Sequence, residues 1–330
     1  MVSPAFDLLF AAAKQQSAGR VAVYHAQAHP DLYALSQQCE LTLSQSFKPF
    51  ILDIQAMGLD ISALQGEYDL ALLVPGKDKK QSLGWMADAF TRLKAGGQLL
   101  MACENRYGAK SYEAALQKLA GQVTSTSRAK CRLFSARKTS KLDAELQKQW
   151  IEEAKPHMIS SHGLWAQPGL FSWKKADTGS QMLLKHLPRL SGRVMDLCCG
   201  YGLLAAHIKQ HQDVSEIHLV EADSLALACA ERNMRGFSSA VYHHVDAAVE
   251  ALPEQMDAVV CNPPFHTGQA RDVALGETIA RKACRALTHG GELYLVANRK
   301  LPYEHILKSH LRGTQTLAQD DGFKVIRGKK

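Results

Sequence analysis

The residues best suited to chemistry form one short motif, Asn262–Pro263–Pro264–Phe265–His266. Apolar Ala258–Val260 before it predicts a buried strand, and the two prolines end that strand because neither can donate to a sheet ladder. The Asn262 side-chain oxygen and the Pro263 carbonyl can each accept one N–H of a planar exocyclic amine, while the Phe265 ring stacks on it. None of these groups is a strong base. A reaction here therefore requires an already reactive electrophile.

Length and composition are those of a globular protein with two domains. The chain has 330 residues, 46% of them hydrophobic and 22% charged, which is enough for two separate cores. No apolar run approaches a membrane span, and Met1–Leu9 lacks the features of a secretory signal, so we expect a cytoplasmic protein. The net charge of +7 favours a polyanionic partner such as RNA.

The cysteines show neither a C-x-x-C pair nor a spacing suited to zinc, which predicts free buried thiols and no metal site. They are Cys39, Cys103, Cys131, Cys198, Cys199, Cys229, Cys261 and Cys284.

The N-terminal part, from Phe6 to about Phe134, alternates short apolar runs with helical stretches, the pattern of a parallel α/β domain. The predicted strands are Arg20–Tyr24, Phe50–Ile54, Leu70–Val74 and Gln98–Ala102.

Part of this domain has a counterpart later in the chain. Tyr68–Pro75, a helix and Gly96–Leu100 match Met256–Pro263, a helix and Gly290–Tyr294. The agreement indicates two copies of one strand–helix–strand unit. Chance similarity is the alternative, since glycine pairs often precede strands. The first copy lacks both Asn–Pro–Pro–Phe and a glycine-rich loop, so we interpret it as a duplicate that lost its chemistry.

A basic run lies near the end of the first domain. Its members are Arg128, Lys130, Arg132, Arg137, Lys138 and Lys141. A solvated basic face and a surface that contacts RNA phosphates both remain open, and salt dependence distinguishes them. Asp143–Lys155 is predicted to be a helix, and Pro156–Gly163 is the predicted boundary between domains 1–155 and 156–330.

The second domain opens with a glycine-bearing loop. Gly192–Leu204 predicts a strand that ends at Asp196 and passes through a tight turn into a helix, which brings the backbone close to a ligand. The next strand, Ile217–Glu221, closes on a carboxylate that suits a ribose diol. A dinucleotide-binding domain is the rival interpretation, but the third glycine of its fingerprint is absent and Asn–Pro–Pro–Phe has no role in hydride transfer.

Together these segments resemble the class I S-adenosylmethionine-dependent methyltransferases, and Asn262–Phe265 narrows the similarity to enzymes that methylate amino or amide nitrogens. The chain is closer still to the bacterial small-subunit ribosomal RNA guanine-N2 methyltransferases of the RsmC type. This similarity covers almost the whole chain. It also rests on Glu104–Asn105–Arg106, Phe171–Ser172, Asp177–Thr178–Gly179–Ser180, Val296–Ala297–Asn298 and Leu301–Pro302–Tyr303.

The resemblance implies an α/β fold of two tandem Rossmann-like domains. Residues 1–155 would be a degenerate copy that supports RNA binding, and residues 156–330 the catalytic domain with S-adenosyl-L-methionine as its cofactor. The target guanine would lie in small-subunit (16S) ribosomal RNA, and we expect it to be flipped out and stacked on Phe265.

The resemblance also assigns roles to individual residues. It implies cofactor binding at Asp196, Gly200, Gly202, Glu221, Asp246 and Asn262, and catalysis at Asn262, Pro263 and Phe265. Asp246 would contact the adenine region after the predicted strand Val241–Val245, although a turn cap is an equal alternative. Phe171 to Ser180 would fold over the cofactor. Asn298, Arg299, Pro302 and Tyr303 either contact RNA or shape a turn.

One position departs from the family's D-x-G-x-G-x-G loop, since Cys198 replaces the first glycine. If its φ is negative, a cysteine is acceptable; if φ is positive, or the ligand lies against its Cα, cofactor affinity should fall. Because cysteine is small, we expect a working loop. The departure keeps open a catalytically silent RNA-binding assembly factor.

The implied chemistry is an in-line methyl transfer that depends on alignment and electrostatics, with no metal and no dedicated general base. His266 would take the proton or have a structural role. A protein glutamine amide and adenine N6 are alternative acceptors, because the same motif accepts their N–H groups.

Overall fold

The computed structural model describes residues 3–264, 270–320 and 322–330. The predicted roles of Phe265 and His266 therefore lie outside the described residues. The chain divides into two compact units, Met1–Lys155 and Pro156–Lys330.

The first unit alternates helices and strands. Its helices are α1 (Pro4–Ala13), α2 (Pro30–Ser36), α3 (Lys48–Gln55), α4 (Lys79–Arg92), α5 (Ala109–Ala120) and α6 (Ala144–Ala154), with a 3-10 turn at Asn105–Tyr107. Its strands are β1 (Arg20–Tyr24), β2 (Glu40–Leu43), β3 (Tyr68–Leu73), β4 (Leu93–Glu104), β5 (Thr124–Arg128) and β6 (Cys131–Arg137).

These strands form one sheet in the order β2-β1-β3-β4-β6-β5. The first four are parallel, and β6 runs antiparallel to both β4 and β5. Helices cover both faces, so the central strands are buried on both sides and their sequences are apolar throughout. The predicted strands at β1, β3 and β4 are confirmed.

The predicted strand Phe50–Ile54 is wrong, because these residues lie in α3. Pro49 stands in the first turn of α3, where proline favours a helix start, and Ile54 is the buried residue of this helix. The second strand of the unit is instead β2, in the less apolar Glu40–Leu43. A short apolar run does not distinguish a strand from one face of a helix.

The second unit has helices α7 (Thr178–His186), α8 (Leu203–Ile208), α9 (Ser224–Asn233), α10 (Ala270–Ala286) and α11 (Tyr303–His310). Its strands are β7 (His157–Ile159), β8 (Leu164–Ala166), β9 (Gly192–Leu197), β10 (Val214–Glu221), β11 (Ala240–His244), β12 (Met256–Cys261), β13 (Leu287–Asn298), β14 (Arg312–Asp320) and β15 (Phe323–Lys329).

The main sheet of this unit has the order β11-β10-β9-β12-β13-β15-β14. The five strands β11, β10, β9, β12 and β13 are parallel, and β15 is antiparallel to both β13 and β14. If β11 is left out, the remaining order β10-β9-β12-β13-β15-β14 corresponds strand by strand to β2-β1-β3-β4-β6-β5 of the first sheet, with the same strand directions. The structure thus confirms the predicted α/β class and the tandem repeat.

One hydrogen bond recurs in both units and supports common ancestry over chance. The backbone N–H of Arg20, at the start of β1, donates to Asp69 Oδ2 over 2.8 Å. The backbone N–H of Arg193 in β9 makes the same bond, also 2.8 Å, to Asp257 Oδ2. In both units the bond joins the first strand to the strand that precedes the glycine pair.

The second unit begins at Pro156, the first residue of the predicted boundary Pro156–Gly163, and this segment opens the antiparallel hairpin of β7 and β8. Buried Asn233 ties this hairpin to α9: its Oδ1 accepts from the Trp165 N–H at 2.7 Å and its Nδ2 donates to the Trp165 carbonyl at 2.9 Å. Nδ2 also donates to the Tyr201 carbonyl at 2.8 Å.

All eight cysteines are free thiols, and only Cys39 and Cys198 are half-buried rather than buried. In the part of the chain that the structure describes, no helix is long and apolar enough to cross a membrane. Within the same residues, no group of three or more His, Cys, Asp or Glu side chains is arranged to hold a metal ion.

We predict that Asn233→Ala lowers the free energy of unfolding of the second unit by about 2–4 kcal/mol, because it leaves three backbone groups unpaired. Chemical denaturation followed by circular dichroism measures the change. Gln210→Ala, an exposed position of the same unit, is the control and should change stability by less than about 0.5 kcal/mol. Equal stability of the two variants would contradict the structural role of Asn233.

Candidate active site

A cleft opens where two neighbouring parallel strands end. Leu197 of β9 pairs with Cys261 of β12, so the loop after β9 and Asn262 after β12 emerge side by side. The cleft is small and partly open to solvent, with a cavity volume of about 50 Å³. Its lining consists of Phe171, Ser172, Asp177, Ser180, Cys198, Cys199, Gly200, Tyr201, Leu203, Leu204 and Asn262.

The Asn262 amide is held in one orientation. Its Nδ2 donates to Asp177 Oδ2 at 2.9 Å and to Ser180 Oγ at 2.8 Å. Its Oδ1 is buried and has no hydrogen-bond partner among the described residues. Because a carboxylate can only accept, Nδ2 must point toward Asp177. The remaining oxygen is a buried acceptor without a partner among these residues, and its predicted contact with an exocyclic amine stays a prediction.

Asp177 and Ser180 belong to the segment Phe171–Ser180 that the resemblance places over the cofactor, but neither received an individual site role from the sequence. Asp177 is the N-cap of α7, with Oδ2 accepting from the Ser180 N–H at 2.8 Å. An Asp-x-x-Ser pattern before an apolar run signals such a cap. Its contact with Asn262 spans 85 residues of sequence, so local pattern could not reveal it.

Asp196 is completely buried at the carboxyl end of β9. Its Oδ2 accepts from the Ala205 N–H in the first turn of α8 at 2.9 Å, which joins the strand to the helix across the loop. Its Oδ1 finds no partner within the described ranges. Burial and, to a smaller extent, the nearby Glu221 carboxylate raise the Asp196 pKa to about 7, although the hydrogen bond from Ala205 opposes the rise. A cationic ligand nearby would favour the ionised carboxylate.

Glu221 ends β10 and holds the neighbouring loop. Its Oε2 accepts from the Gly200 N–H at 2.8 Å, and its Oε1 accepts from the N–H groups of Ala222 and Asp223 at 2.8 and 3.0 Å. Burial raises the Glu221 pKa, and these hydrogen bonds oppose that rise. Both acceptor positions of Oε1 are thus occupied. The predicted contact with a ribose diol must rely on Oε2.

Cys198 has a positive φ of +62°. The structure therefore shows the second of the two cases, in which a cysteine is strained. Left-handed backbone costs a non-glycine residue about 1–2 kcal/mol. Cys198 is one of the residues that line the cleft, and its side chain packs against the core that contains Cys261. The strain lowers stability, while a Cβ at this position can limit how closely a ligand approaches the backbone.

The two glycines of the loop have different roles. At Gly200 (φ +55°), an added Cβ would meet no atom within 4 Å, and the residue lines the cleft. At Gly202 (φ +81°), a Cβ would lie 3.1 Å from Ala230 Cβ in α9. Gly202 is not part of the cleft lining. Its observed role is therefore helix packing, and cofactor contact there remains a prediction.

Asp246 acts as a turn cap, one of the two alternatives. Its Oδ1 accepts from the Ala248 N–H at 2.8 Å. It follows Val245, whose N–H donates to the Glu221 carbonyl at 3.0 Å, so it lies next to the end of β10. Contact with adenine remains a prediction.

The turn after β13 is shaped by its own residues. Asn298 Oδ1 accepts from the Lys300 N–H at 3.0 Å, and Tyr303 is 1% exposed within the core. These contacts support the structural alternative for Asn298 and Tyr303.

In the first unit, aromatic side chains occupy the equivalent edge of the sheet. His25 follows β1 with a φ of +50° and stacks on Trp85, with ring centroids 5.0 Å apart and planes at 20°. Burial lowers the His25 pKa to about 4, so the ring is neutral at pH 7. Trp85 also covers Gly76, because a Cβ there would lie 3.3 Å from its ring. Strand register places Val23 and Val74 where the second unit has Asp196 and Asn262.

The basic run forms the β5–β6 hairpin and its flanks. Arg132 pairs with Glu113, Arg137 donates to the Gly96 carbonyl at 3.0 Å, and Lys138 donates to the Leu93 carbonyl at 2.6 Å. These three have structural partners, whereas Arg128 and Lys130 are exposed at the hairpin tip. The exposed members leave both interpretations open, and contact with RNA phosphates stays a prediction.

Known proteins resemble the chain over most of its length. The "Methyltransferase small domain" family matches residues 161–327, and "Methyltransferase small domain N-terminal" matches residues 45–154. "Ribosomal RNA small subunit methyltransferase C" of Salmonella choleraesuis is 31% identical over 259 residues, 76% of this chain and 72% of the relative. Its Actinobacillus pleuropneumoniae namesake is 30% identical over 271 residues, 79% of each chain.

A solved structure shares the fold. It is described as the T. thermophilus 16S rRNA N2 G1207 methyltransferase (RsmC) in complex with AdoMet and guanosine, and it aligns with a TM-score of 0.82 over 99% of this chain and 92% of its own. The identity is 23%. The resemblance seen in the sequence is thereby confirmed, and the chain belongs to the ribosomal RNA small subunit methyltransferase C family.

Proposed function

We propose that this chain transfers a methyl group from S-adenosyl-L-methionine to the exocyclic N2 of a guanine in 16S ribosomal RNA. The observation that carries the proposal is the Asn262 amide, whose donors are bound by Asp177 and Ser180 and whose Oδ1 is left as an acceptor. The relatives are named as small-subunit ribosomal RNA methyltransferases. We infer that the substrate is RNA of the small subunit and that the reaction takes place in the cytoplasm.

The chemistry of the cleft suits this cofactor. Asn262, which lines the cleft, and Asp196, which does not, each have a buried acceptor, Oδ1, that no described residue satisfies, and Gly200 leaves open space at the loop. S-adenosyl-L-methionine carries a sulfonium and an ammonium group, which such acceptors favour. We assign its binding to Asp196, Gly200, Glu221, Asp246 and Asn262. When bound, the cofactor supplies an electrophilic methyl group.

The protein contributes orientation rather than acid–base chemistry. The exocyclic N2 is a weak nucleophile because its lone pair is delocalised into the guanine ring. Asn262 Oδ1 and the Pro263 carbonyl each accept one of its N–H groups and so turn the lone pair toward the methyl group. Fixed acceptors in a closed site also stabilise the positive charge that develops on the amine. Stacking on Phe265 remains a prediction.

We propose that the first unit binds RNA and takes no part in catalysis. Val23 and Val74 stand in place of Asp196 and Asn262, and His25 and Trp85 fill the equivalent edge. The exposed tip of the β5–β6 hairpin supplies cations for phosphate contacts. On this proposal residues 1–155 support the substrate and residues 156–330 carry out the transfer.

Two other functions remain as alternatives. A protein glutamine amide or adenine N6 presents the same N–H donors to Asn262. A catalytically silent assembly factor is suggested by the strained Cys198. Methylation assays on naked rRNA, assembled subunits, release factor and DNA separate these cases, with mapping of N2-methylguanine in 16S rRNA as the direct test. Labelling confined to a protein would rule out the RNA substrate.

We predict that Asn262→Ala lowers kcat at least about 100-fold, because removing one positioned polar group costs about 3 kcal/mol in the transition state. Cofactor affinity, measured by calorimetry, should fall much less than kcat, because four other residues share the binding, and retained binding shows that the fold is intact. An unchanged kcat would show that the amide does not orient the amine.

We predict that Cys198→Gly tightens S-adenosyl-L-methionine binding by about 3- to 10-fold, equivalent to about 1 kcal/mol, because the ligand gains access to the backbone. Cys198→Ala is the matched control. It keeps a Cβ at the same positive φ and should bind as the wild type does. Equal affinity of all three proteins would show that the side chain does not limit binding.

We predict that Lys130→Ala weakens rRNA binding and lowers the slope of log K against log [salt] by about 0.7–0.9, the loss of one phosphate contact. Lys14→Ala, which removes a cation already paired with Asp31, should leave the slope unchanged. Filter binding between 50 and 200 mM salt, the usual range for such plots, measures both. Identical slopes would favour a merely solvated hairpin.

A further inference from the structure

We propose that Asp177 and Ser180 are positioning residues that hold the Asn262 amide as a hydrogen-bond acceptor for the substrate amine. The inference rests on the proposed function, because it concerns the group that Asn262 presents to the nucleophile. Both residues line the same cleft as Asn262, and they belong to one helix turn that the sequence places far from the motif.

The two side chains use both donors of one amide. Asn262 Nδ2 lies 2.9 Å from Asp177 Oδ2 and 2.8 Å from Ser180 Oγ. An Asn amide has two N–H donors on this nitrogen, so the two contacts account for both. The opposite end, Oδ1, is left without a partner in the described part of the chain.

The orientation decides which substrate group the site accepts. A terminal amide torsion is roughly two-fold, so an unrestrained Asn262 could rotate by about 180° and present its NH₂ group to the cleft. An incoming exocyclic amine would then face a donor and find no acceptor. The carboxylate prevents this rotation, because it offers no hydrogen to the amide oxygen.

The charge of Asp177 has a second effect. Hydrogen bonds to ionised groups are stronger than neutral ones, and linked hydrogen bonds polarise each other. A carboxylate that accepts from Nδ2 polarises the amide, and its negative charge shifts electron density away from the nitrogen and onto Oδ1. Oδ1 becomes a better acceptor for an N–H group that gains positive charge during the reaction.

The local sequence explains how Asp177 reaches Asn262. Asp177 is the N-cap of α7 and accepts from the Ser180 N–H at 2.8 Å with the same Oδ2. Gly179 makes room for it, since a Cβ there would lie 3.0 Å from Asp177 Oδ2 and 3.0 Å from Phe323 Cε1. The helix turn thus lies close against β15 with its cap directed at the end of β12.

An ordinary helix cap would need only the bond to Ser180. Asp143 makes such a bond at the start of α6, where its Oδ1 accepts from the Leu146 N–H at 2.9 Å. The additional donor from Asn262 distinguishes Asp177 from this cap. Asp143 therefore provides a matched control for the loss of capping alone.

The first experiment compares Asp177→Ser and Asp143→Ser in methyl transfer to 16S rRNA. Serine caps a helix as well as aspartate does, but its shorter side chain does not reach Asn262. We expect Asp177→Ser to lower kcat about 10- to 100-fold, as for a lost charge-assisted hydrogen bond, with KM for cofactor and rRNA within about twofold. Asp143→Ser should retain the wild-type kcat.

Ser180→Ala provides a second variant that keeps the cap. It removes only the hydroxyl acceptor and should lower kcat about 3- to 10-fold. It decides the question even if Asp177→Ser fails to fold.

The decisive measurement is a double-mutant cycle with Asn262→Ala. If Asp177 and Ser180 act through the amide, either substitution should have no further effect on kcat in the Asn262→Ala background. The same fold-loss in both backgrounds would overturn the inference, as would an unchanged kcat in both single variants. A wild-type protein that methylates no guanine N2 would instead overturn the proposed function and this inference with it.

Discussion

The parallel pairing of β9 with β12 is the constraint on which the site depends. Because Leu197 and Cys261 are partners, the chain leaves both strands at the same edge of the sheet. The loop after β9 and Asn262 after β12 therefore lie side by side. A shift of one residue would turn Asp196 to the opposite face of the sheet. The buried apolar residues on both faces prevent such a shift, so the core determines the geometry of the chemistry.

The same edge carries several unfavourable features. Asp196 Oδ1 and Asn262 Oδ1 are buried acceptors without partners among the described residues, and Cys198 has left-handed backbone. Each costs on the order of 1–3 kcal/mol in a protein that binds nothing there. A ligand that brings donors or positive charge to this edge recovers part of that free energy. Other parts of the chain also have such features, so these costs support cofactor binding only together with the cleft that lies beside them.

The two units have the same framework of strands but different residues at the edge of the sheet. Apart from β11, they share the strand order. They also share a hydrogen bond from the backbone N–H of an arginine, in β1 or β9, to an aspartate side chain in β3 or β12. They differ at the sheet edge, where Val23, Val74 and the His25–Trp85 stack stand in place of Asp196, Asn262 and an open cleft. The framework alone carries no reactivity. The observed difference between the two copies at this edge is therefore confined to a few side chains at the strand ends.

The sequence by itself determined the fold class, the repeat and the motifs, because apolar strands, glycine turns and Asn–Pro–Pro are local patterns. It misassigned Phe50–Ile54, because a short apolar run fits both a strand and one face of a helix. It also left the sign of φ at Cys198 open, because φ depends on how the loop closes. Only the tertiary structure decided that Gly202 packs on α9, and that Asp177 and Ser180 orient Asn262. These contacts join residues dozens of positions apart, and their existence follows from how strands and helices pack rather than from any local pattern.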